Sequence, residues 1–227
     1  MQRRNLVVAI DGPSGSGKST VARGVATRLG LRYLDTGAMY RAVTWLALDR
    51  GVALDVPADL EALANEAKLD ITPDPAAPAI TVDGTDVTAA VRGAEVTAAV
   101  SAVSAVPGVR SAMVARQREV IGEGAIVVEG RDIGTTVAPD AAVKVFLIAD
   151  PAARAQRRAL QDADGDVAET LSVTDTEADL ARRDAADSTR AASPLTQAPD
   201  AVVIDSTHLD AASVIARVVE LAQAVTG

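Results

Sequence analysis

Cysteine is absent from this 227-residue sequence, and histidine occurs once, as His208. Without cysteine the chain can form no disulfide bond, iron–sulfur cluster, thiolate zinc site or cysteine nucleophile. A single histidine excludes a metal site built from several histidines, and it leaves one candidate partner for a nucleophilic serine. These absences remove whole classes of metalloprotein and cysteine enzyme from consideration.

Basic residues are also in short supply, because 22 Lys and Arg stand against 31 Asp and Glu, a net charge of −9. Broad electrostatic binding to nucleic acid or to an anionic membrane needs a basic face, so neither partner is expected. The apolar run at residues 6–10 ends at Asp11, which is too short for a signal peptide or a spanning helix. We therefore expect a cytoplasmic protein. No long apolar stripe is left exposed after the core is assigned, which favours a monomer.

Short apolar runs do occur, and they alternate with helical patterns. The runs lie at residues 6–10, 125–128, 143–148 and 201–204, with a weaker one at 32–34. The helical patterns lie at residues 17–29, 37–50, 109–121 and 210–225, and Asp150-Pro151 marks a further helix start. Such alternation predicts an α/β fold, with a parallel sheet covered by helices on both faces.

Two segments interrupt the alternation. Residues 69–87 contain three prolines and an alternating pattern around Asp83-Gly84, which predicts a tight hairpin outside the parallel sheet. The alanine-rich residues 89–105 that follow are expected to be helical. Residues 161–192 are polar and arginine-rich, and they predict a helical excursion over the surface.

The pattern G-x-x-x-x-G-K-[ST] occurs at residues 12–19, between a predicted strand and a predicted helix. Glycines allow several backbone N–H groups to point at one anion, and the helix adds its positive end. Lys18 is placed to reach the β- and γ-phosphates, and the Ser19 hydroxyl is placed for Mg²⁺. A chance glycine-rich turn would lack the flanking strand and helix. The predicted ATP-binding residues are Gly12, Pro13, Ser14, Gly15, Ser16, Gly17, Lys18, Ser19 and Thr20.

Other residues indicate which class of nucleotide-binding protein the chain resembles. Asn5 and Asn65 are the only asparagines, and neither begins the N-K-x-D motif that reads guanine, which disfavours a switch GTPase. Glu129 ends a predicted strand, where a carboxylate can face the water shell of a metal ion. Arg131 lies just beyond that strand, on the crevice side of an open sheet. Arginines there can offset the repulsion between a donor triphosphate and an acceptor phosphate.

Four further motifs extend this pattern along the chain. They are D-T-G-A-M-Y-R at 35–41, P-G-V-R at 107–110, E-G-R-D-I-G-T at 129–135 and R-D-x-x-D-S-x-R-x-x-x-P-L at 183–195. With the phosphate loop, they resemble the bacterial cytidylate kinases, from Val8 to the final helix. The resemblance implies a single P-loop kinase domain, residues 1–227, with a five-stranded parallel sheet. It also implies a monophosphate-binding insert at about 62–108 and a helical lid at about 162–192.

The resemblance further implies a role for each matching residue. Lys18, Arg131 and Arg183 would be catalytic, and Ser19 would hold Mg²⁺. The acceptor phosphate would contact Thr36, Arg41 and Arg131, the cytosine would contact Ser101, Arg110, Asp132 and Arg190, and the ribose would contact Arg183 and Asp187. An Asp132 carboxylate suits the cytosine amino group but would meet a carbonyl oxygen in uracil.

The expected reaction is therefore phosphorylation of CMP, and of dCMP, by ATP with Mg²⁺. Two alternatives remain open from the sequence. The first is a small-molecule P-loop kinase that phosphorylates a hydroxyl, which would need fewer arginines on the acceptor side. The second is an ATP-dependent regulatory switch, which would hydrolyse ATP slowly without any acceptor.

Overall fold

A computed structural model describes residues 5–163 and 172–226 of the chain. Residues 164–171, which belong to the predicted lid, lie outside the described residues. The strands are β1 Val7–Asp11, β2 Arg32–Asp35, β3 Leu69–Thr72, β4 Ala79–Val82, β5 Thr85–Asp86, β6 Ile126–Gly130, β7 Val143–Ile148 and β8 Val202–Asp205. The helices are α1 Lys18–Leu29, α2 Thr36–Asp49, α3 Pro57–Glu66, α4 Ala94–Ala105, α5 Pro107–Ile121, α6 Pro151–Ala163, α7 Val173–Thr189 and α8 Ala211–Ala224.

The main sheet has five parallel strands in the order β2-β6-β1-β7-β8. This confirms the predicted α/β architecture and its five predicted strands. In the register of the sheet, Asp11 of β1 lies beside Gly130 of β6, and Asp35 of β2 lies beside Glu129 of β6. The carboxyl ends of β1, β2 and β6 therefore meet at one edge of the sheet, which brings the three motifs that follow them together.

The strands are buried on both faces because helices cover the sheet on each side. Ala9 of β1 belongs to a core formed with α2, α3, α4 and α5, whereas Val8 and Ile10 belong to a core formed with α1 and α8. Successive residues of a strand point to opposite faces, so a continuous apolar run such as β1 serves both cores.

The predicted hairpin is confirmed. Asp83 and Gly84 join β4 to β5 and have φ angles of 50° and 82°, so both are in the left-handed region that two-residue hairpin turns require. β3 pairs antiparallel with β4 and completes a separate three-stranded sheet. Ile80 and Val82 of β4 are buried in the core shared with α2.

The helical predictions need two corrections. α3 was not predicted, although Pro57 at its start and the buried Leu60, Leu63 and Ala64 at helical spacing are signals for it. α4 begins at Ala94 rather than at residue 89, because Ala90–Arg92 form a short 3-10 turn and Gly93 caps the helix. Across the part of the chain that the structure describes, no single helix is long and apolar enough to cross a membrane. α4 and α5 meet that criterion only as a pair, with an angle of 97° between them.

Candidate active site

The glycine-rich loop at residues 12–17 connects β1 to α1 at the carboxyl edge of the sheet. Gly12 has a φ of 150°, and a side chain there would place its Cβ 2.1 Å from the carbonyl oxygen of Leu147. Gly17, with a φ of 90°, occupies the cap position directly before α1. A side chain at Gly12 would collide with β7, and other residues rarely adopt the φ of Gly17, so glycine at both positions lets the loop curl over the first turn of α1. Ser16 is buried within the loop, and Thr20 is exposed on α1.

Lys18 and Ser19 begin α1 and face the end of β6. The Nζ of Lys18 donates to the carbonyl oxygen of Pro13 at 2.7 Å. Burial and the nearby Arg131 guanidinium lower the pKa of Lys18. The hydroxyl of Ser19 donates to Oε2 of Glu129 at 2.9 Å. The predicted lysine, the predicted hydroxyl and the strand-end carboxylate thus lie together.

Glu129 has a second partner that the sequence did not reveal. The hydroxyl of the buried Tyr33, on β2, donates to the Oε1 atom of Glu129. Burial raises the pKa of Glu129, and repulsion from the carboxylate of Asp35 adds to the rise. A strand residue that looks like ordinary core therefore orients the carboxylate next to the phosphate loop.

Asp11, which ends β1, is an acid that the sequence did not indicate as part of the site. Its two carboxylate oxygens accept from the backbone N–H groups of Ile133 and Gly134, each at 2.8 Å. These residues begin a five-residue π-helical turn, Ile133–Val137, directly after Asp132. Burial raises the pKa of Asp11 to about 6. Asp11 therefore joins the start of the phosphate loop to the segment that follows β6.

Arg131 lies against the phosphate loop, as predicted. One terminal nitrogen donates to the carbonyl oxygen of Gly12 at 2.7 Å, and the other donates to the hydroxyl of Ser14. Its Nε atom is 3.1 Å from the carboxylate of Asp187 on α7. The guanidinium is therefore fixed between the loop and α7.

Arg110, Asp132 and Arg190 converge in a buried cluster, although they lie on separate segments. Arg110 donates to Oδ2 of Asp132 at 2.5 Å, and Arg190 lies 3.6 Å from Oδ1. Arg110 and Asp132 are 3% and 4% exposed. The guanidinium of Arg110 also lies 5.2 Å from the centre of the Tyr40 ring. Asp187 pairs with Arg190 at 3.3 Å, so the cluster is continuous with Arg131.

Arg41, Arg183 and Thr36 are the remaining predicted residues of the acceptor side, and Arg41 and Arg183 are close enough to repel each other. Arg41 donates to Thr97 Oγ1 at 2.8 Å and to the carbonyl oxygen of Val91 at 3.2 Å. Burial lowers the pKa of Arg41 to about 9, and repulsion from Arg183 contributes. The pKa of Arg183 is lowered by burial and then by Arg131. The hydroxyl of Thr36 donates to the carbonyl oxygen of Glu129 at 2.7 Å.

Ser101 is less closely connected to the predicted base site. It is half-buried on α4, one turn before Ser104, whose carbonyl oxygen accepts from Arg110 at 3.3 Å. The hydroxyl of Ser101 takes no part in the hydrogen bonds described for the Arg110–Asp132–Arg190 cluster. Its contact with a base stays a prediction.

Sequence reasoning missed the arginines of α6. Arg154 donates to the carbonyl oxygen of Ser14 at 3.1 Å and pairs with Asp184 of α7. Arg157 donates to the hydroxyl of Ser206 at 3.0 Å. Arg158 acts electrostatically on both Arg41 and Arg183. The spacing of these three arginines on one predicted helix was the available signal.

The carboxyl edge of the sheet thus carries a glycine loop with its lysine, and arginines from several elements face that loop. This fold and this site define a P-loop kinase. A family model described as cytidylate kinase matches residues 8–224. The cytidylate kinase of Streptomyces griseus subsp. griseus is 50% identical over 223 residues, which cover 97% of this chain and 94% of that protein. The chain belongs to the cytidylate kinase family.

Two further relatives match nearly the whole length of this chain. The cytidylate kinase of Rhodococcus jostii is 51% identical over 229 residues, covering 100% of this chain and 99% of that protein. A bifunctional pantoate ligase/cytidylate kinase of a Synechococcus species is 51% identical over 222 residues, covering 96% of this chain. The match spans 41% of the bifunctional protein, so the chain corresponds to one part of it.

Proposed function

We propose that the protein transfers the terminal phosphoryl group of ATP to CMP, giving ADP and CDP, and that dCMP is a second acceptor. The observation that carries this proposal is the buried Asp132, which lies between Arg110 and Arg190 and one residue beyond Arg131 at the phosphate loop. Relatives about 50% identical bear the name cytidylate kinase, which favours this reaction over the two alternatives that the sequence left open.

Base selection follows from the charge of the cluster. Cytosine presents an amino group, which can donate to Asp132, and two acceptors, N3 and O2, which suit the guanidinium groups of Arg110 and Arg190. Uracil presents a carbonyl oxygen in place of the amino group, and that oxygen would face a carboxylate. Ser101 would add a further contact from α4. The cluster therefore favours CMP over UMP.

Phosphoryl transfer would rest on positioning and charge rather than on a covalent intermediate. Lys18 and the loop amides would hold the donor phosphates. Thr36, Arg41 and Arg131 would hold the acceptor phosphate, and Arg183 would stabilise the charge of the transferred group. The acceptor phosphate is already anionic, so the reaction needs no histidine as a base.

The residues at the end of the loop also fit Mg²⁺. Mg²⁺ prefers oxygen ligands and keeps several waters, so one or two protein oxygens together with substrate phosphates usually suffice. Within residues 5–163 and 172–226 no group of three or more acidic or histidine side chains could form a metal cage. The Ser19 hydroxyl would hold the ion, with Glu129 facing its water shell. When bound, Mg²⁺ would neutralise part of the triphosphate charge.

The elements around the site have corresponding roles in this proposal. Residues 62–108, which include the three-stranded sheet and α4, would form the insert that receives the monophosphate. Residues 162–192, which include α7, would form the lid. Asp187 and Arg183 on α7 would contact the ribose. Closure of α7 over the loop would exclude water, since water would otherwise accept the phosphoryl group from ATP.

An ADP-release assay over a panel of acceptors tests the proposal. Purified protein with Mg²⁺ and ATP is given CMP, dCMP, UMP, AMP, small alcohols or no acceptor, and the nucleotides are separated by chromatography. We expect CDP and dCDP to form, with little ADP released when the acceptor is omitted. If UMP or AMP is consumed while CMP is left unconverted, the proposed substrate is wrong. Phosphorylation of an alcohol, or acceptor-independent hydrolysis, would support one of the alternatives.

A further inference from the structure

A carboxylate of α7 lies on the phosphate loop itself. Asp184 accepts from the backbone N–H of Ser14 through Oδ1 at 2.9 Å, and its Oδ2 pairs with Arg154. Arg131 lies 3.8 Å from Oδ1. The Asp184 carboxylate thus contacts a main-chain amide of the loop and lies near two guanidinium groups, which come from three different parts of the chain.

These donors form an anion site. A backbone N–H of a glycine-rich loop and the guanidinium of Arg154 are groups that typically bind phosphate oxygens. The same terminal nitrogen of Arg154 also donates to the carbonyl oxygen of Ser14 at 3.1 Å, which fixes the guanidinium at the loop. In this structure, the anion that these donors bind is the carboxylate of Asp184.

Because Asp184 lies on α7, a movement of that helix can withdraw its carboxylate from the loop. Asp187, one turn further along the helix, also faces Arg131, whereas Ala185 and Ala186 between them are exposed. Asp184 and Asp187 therefore lie on the face of α7 that contacts the loop and Arg131. A displacement of this helix would withdraw the Asp184 carboxylate from Ser14 and Arg154 without any change in the loop.

We propose that Asp184 is an internal competitor of the triphosphate, holding the Ser14 amide and Arg154 until a phosphate group of the nucleotide replaces it. The inference rests on the proposed use of ATP, and it deepens that proposal by coupling nucleotide binding to the position of α7. A phosphate close to Ser14 would be repelled by Asp184 and would need the same donors, so the two anions exclude each other.

The test measures binding without any acceptor. Isothermal titration calorimetry with ATP, and separately with inorganic tripolyphosphate, compares the wild type with Asp184→Asn. The asparagine is isosteric and keeps an oxygen that can accept from Ser14, but it lacks the charge. We expect Asp184→Asn to bind both probes at least about tenfold more tightly, a change of about 1.4 kcal/mol. Asp184→Glu, which keeps the charge, should show no gain.

Glu177→Gln is the matched control, because Glu177 is an exposed carboxylate on the same helix. It removes one negative charge away from the loop and should leave both affinities unchanged. Thermal unfolding establishes that each variant is folded, and Asp184→Ser supplies a second neutral variant with the same expected gain. Unchanged or weaker binding in the neutral variants would overturn the proposal and make Asp184 a residue that positions Arg154. Because no acceptor is present, this result is independent of whether CMP is the substrate.

Discussion

The two ends of the site hold their cations in different ways. At the phosphate end, Lys18 and Arg131 donate to the main-chain carbonyl oxygens of Pro13 and Gly12, although Arg131 also pairs with Asp187 of α7. At the base end, Arg110 and Arg190 are paired with a carboxylate, that of Asp132. Main-chain carbonyl oxygens do not distinguish one nucleotide base from another, so the contacts at the phosphate end can serve any nucleoside triphosphate. A side-chain acid can distinguish an amino group from a carbonyl, so the second arrangement can select a base.

The difference also affects stability. A buried ion pair contributes little net stability, but removal of one partner leaves an uncompensated charge and costs about 3–5 kcal/mol. Arg110 and Asp132 are almost completely buried, whereas Arg131 is partly exposed and has several partners. Substitutions at the base end are therefore expected to change selectivity and stability together. Substitutions at the phosphate end should change turnover in a chain that stays folded.

The largest effect is expected at the phosphate end. Lys18→Ala and Arg131→Ala should each lower kcat by about 10³-fold or more. Each substitution removes a positively charged side chain that, in the proposed reaction, stabilises the transferred phosphoryl group. The melting temperature should stay close to that of the wild type. Both are measured by coupled ADP release with CMP and by thermal unfolding. Arg182→Ala, at an exposed position of α7, is the control and should retain its turnover. Near-normal turnover in either active-site variant would contradict the assignment.

A smaller but more selective effect is expected at the base end. Asp132→Asn should reduce the preference for CMP over UMP by about 10–100-fold, since the amide can accept from cytosine but can also donate to uracil. The ratio of kcat/KM values for the two acceptors measures it, and Asp132→Ala should erode the preference as well. Asp140→Asn, an exposed acid in the same segment, should leave the ratio unchanged. If the ratio survives in the Asp132 variants, another group reads the base.

Asp11 connects the start of the phosphate loop to the segment that carries Asp132, and this connection can be tested by varying the pH. The pKa of Asp11 is raised from 3.8 to about 6, mainly by burial, so the folded chain disfavours the ionised form. The stability that this group contributes is therefore greatest below pH 3.8 and falls as the pH rises to about 6.

Asp11→Asn removes this titration, although its amide can accept only one of the two backbone hydrogen bonds. Relative to the wild type, the variant should gain up to about 3 kcal/mol in free energy of unfolding as the pH rises through that window. Denaturant unfolding at several pH values measures the difference. The exposed Asp49→Asn should show a pH dependence like that of the wild type. A difference that is constant with pH would refute the raised pKa.

The smallest effect concerns the support of Arg110. Tyr40→Leu removes the ring that lies 5.2 Å from the guanidinium, an interaction of about 1 kcal/mol. We expect the KM for CMP to rise about fivefold, with kcat and the KM for ATP little changed. Tyr40→Phe keeps the ring and should behave like the wild type. An equal rise in the KM for ATP would show that the ring supports the whole site rather than the base end.

The glycine-rich loop of the phosphate end was predictable from the sequence because it is local. Its residues lie within eight positions, and glycine spacing specifies their conformation before any tertiary contact forms. The parallel strands and the Asp83-Gly84 hairpin were predictable for the same reason. The convergence of Arg110, Asp132 and Arg190 depends on segments far apart in the chain, so its prediction came from the resemblance to a family.

The contacts that were missed are long-range and carry no local pattern. Tyr33 and Glu129 are 96 residues apart, and Ser14 and Asp184 are 170 residues apart. Tyr33 lies between Arg32 and Leu34 in a four-residue strand and is buried like an ordinary core residue, and Asp184 lies in a polar helix among many charges. Tyr33 is distinguished from an ordinary core residue only by the register of β2 beside β6. Asp184 is distinguished from an ordinary surface residue only by the packing of α7 on the loop.

Asp187 touches both ends of the site, because one oxygen lies 3.1 Å from Arg131 and the other 3.3 Å from Arg190. A single turn of α7 is thus anchored both to the arginine at the phosphate loop and to an arginine of the buried cluster around Asp132. Loss of either contact would loosen the same turn of α7, so a substitution at one end of the site is expected to disturb the other end through this helix.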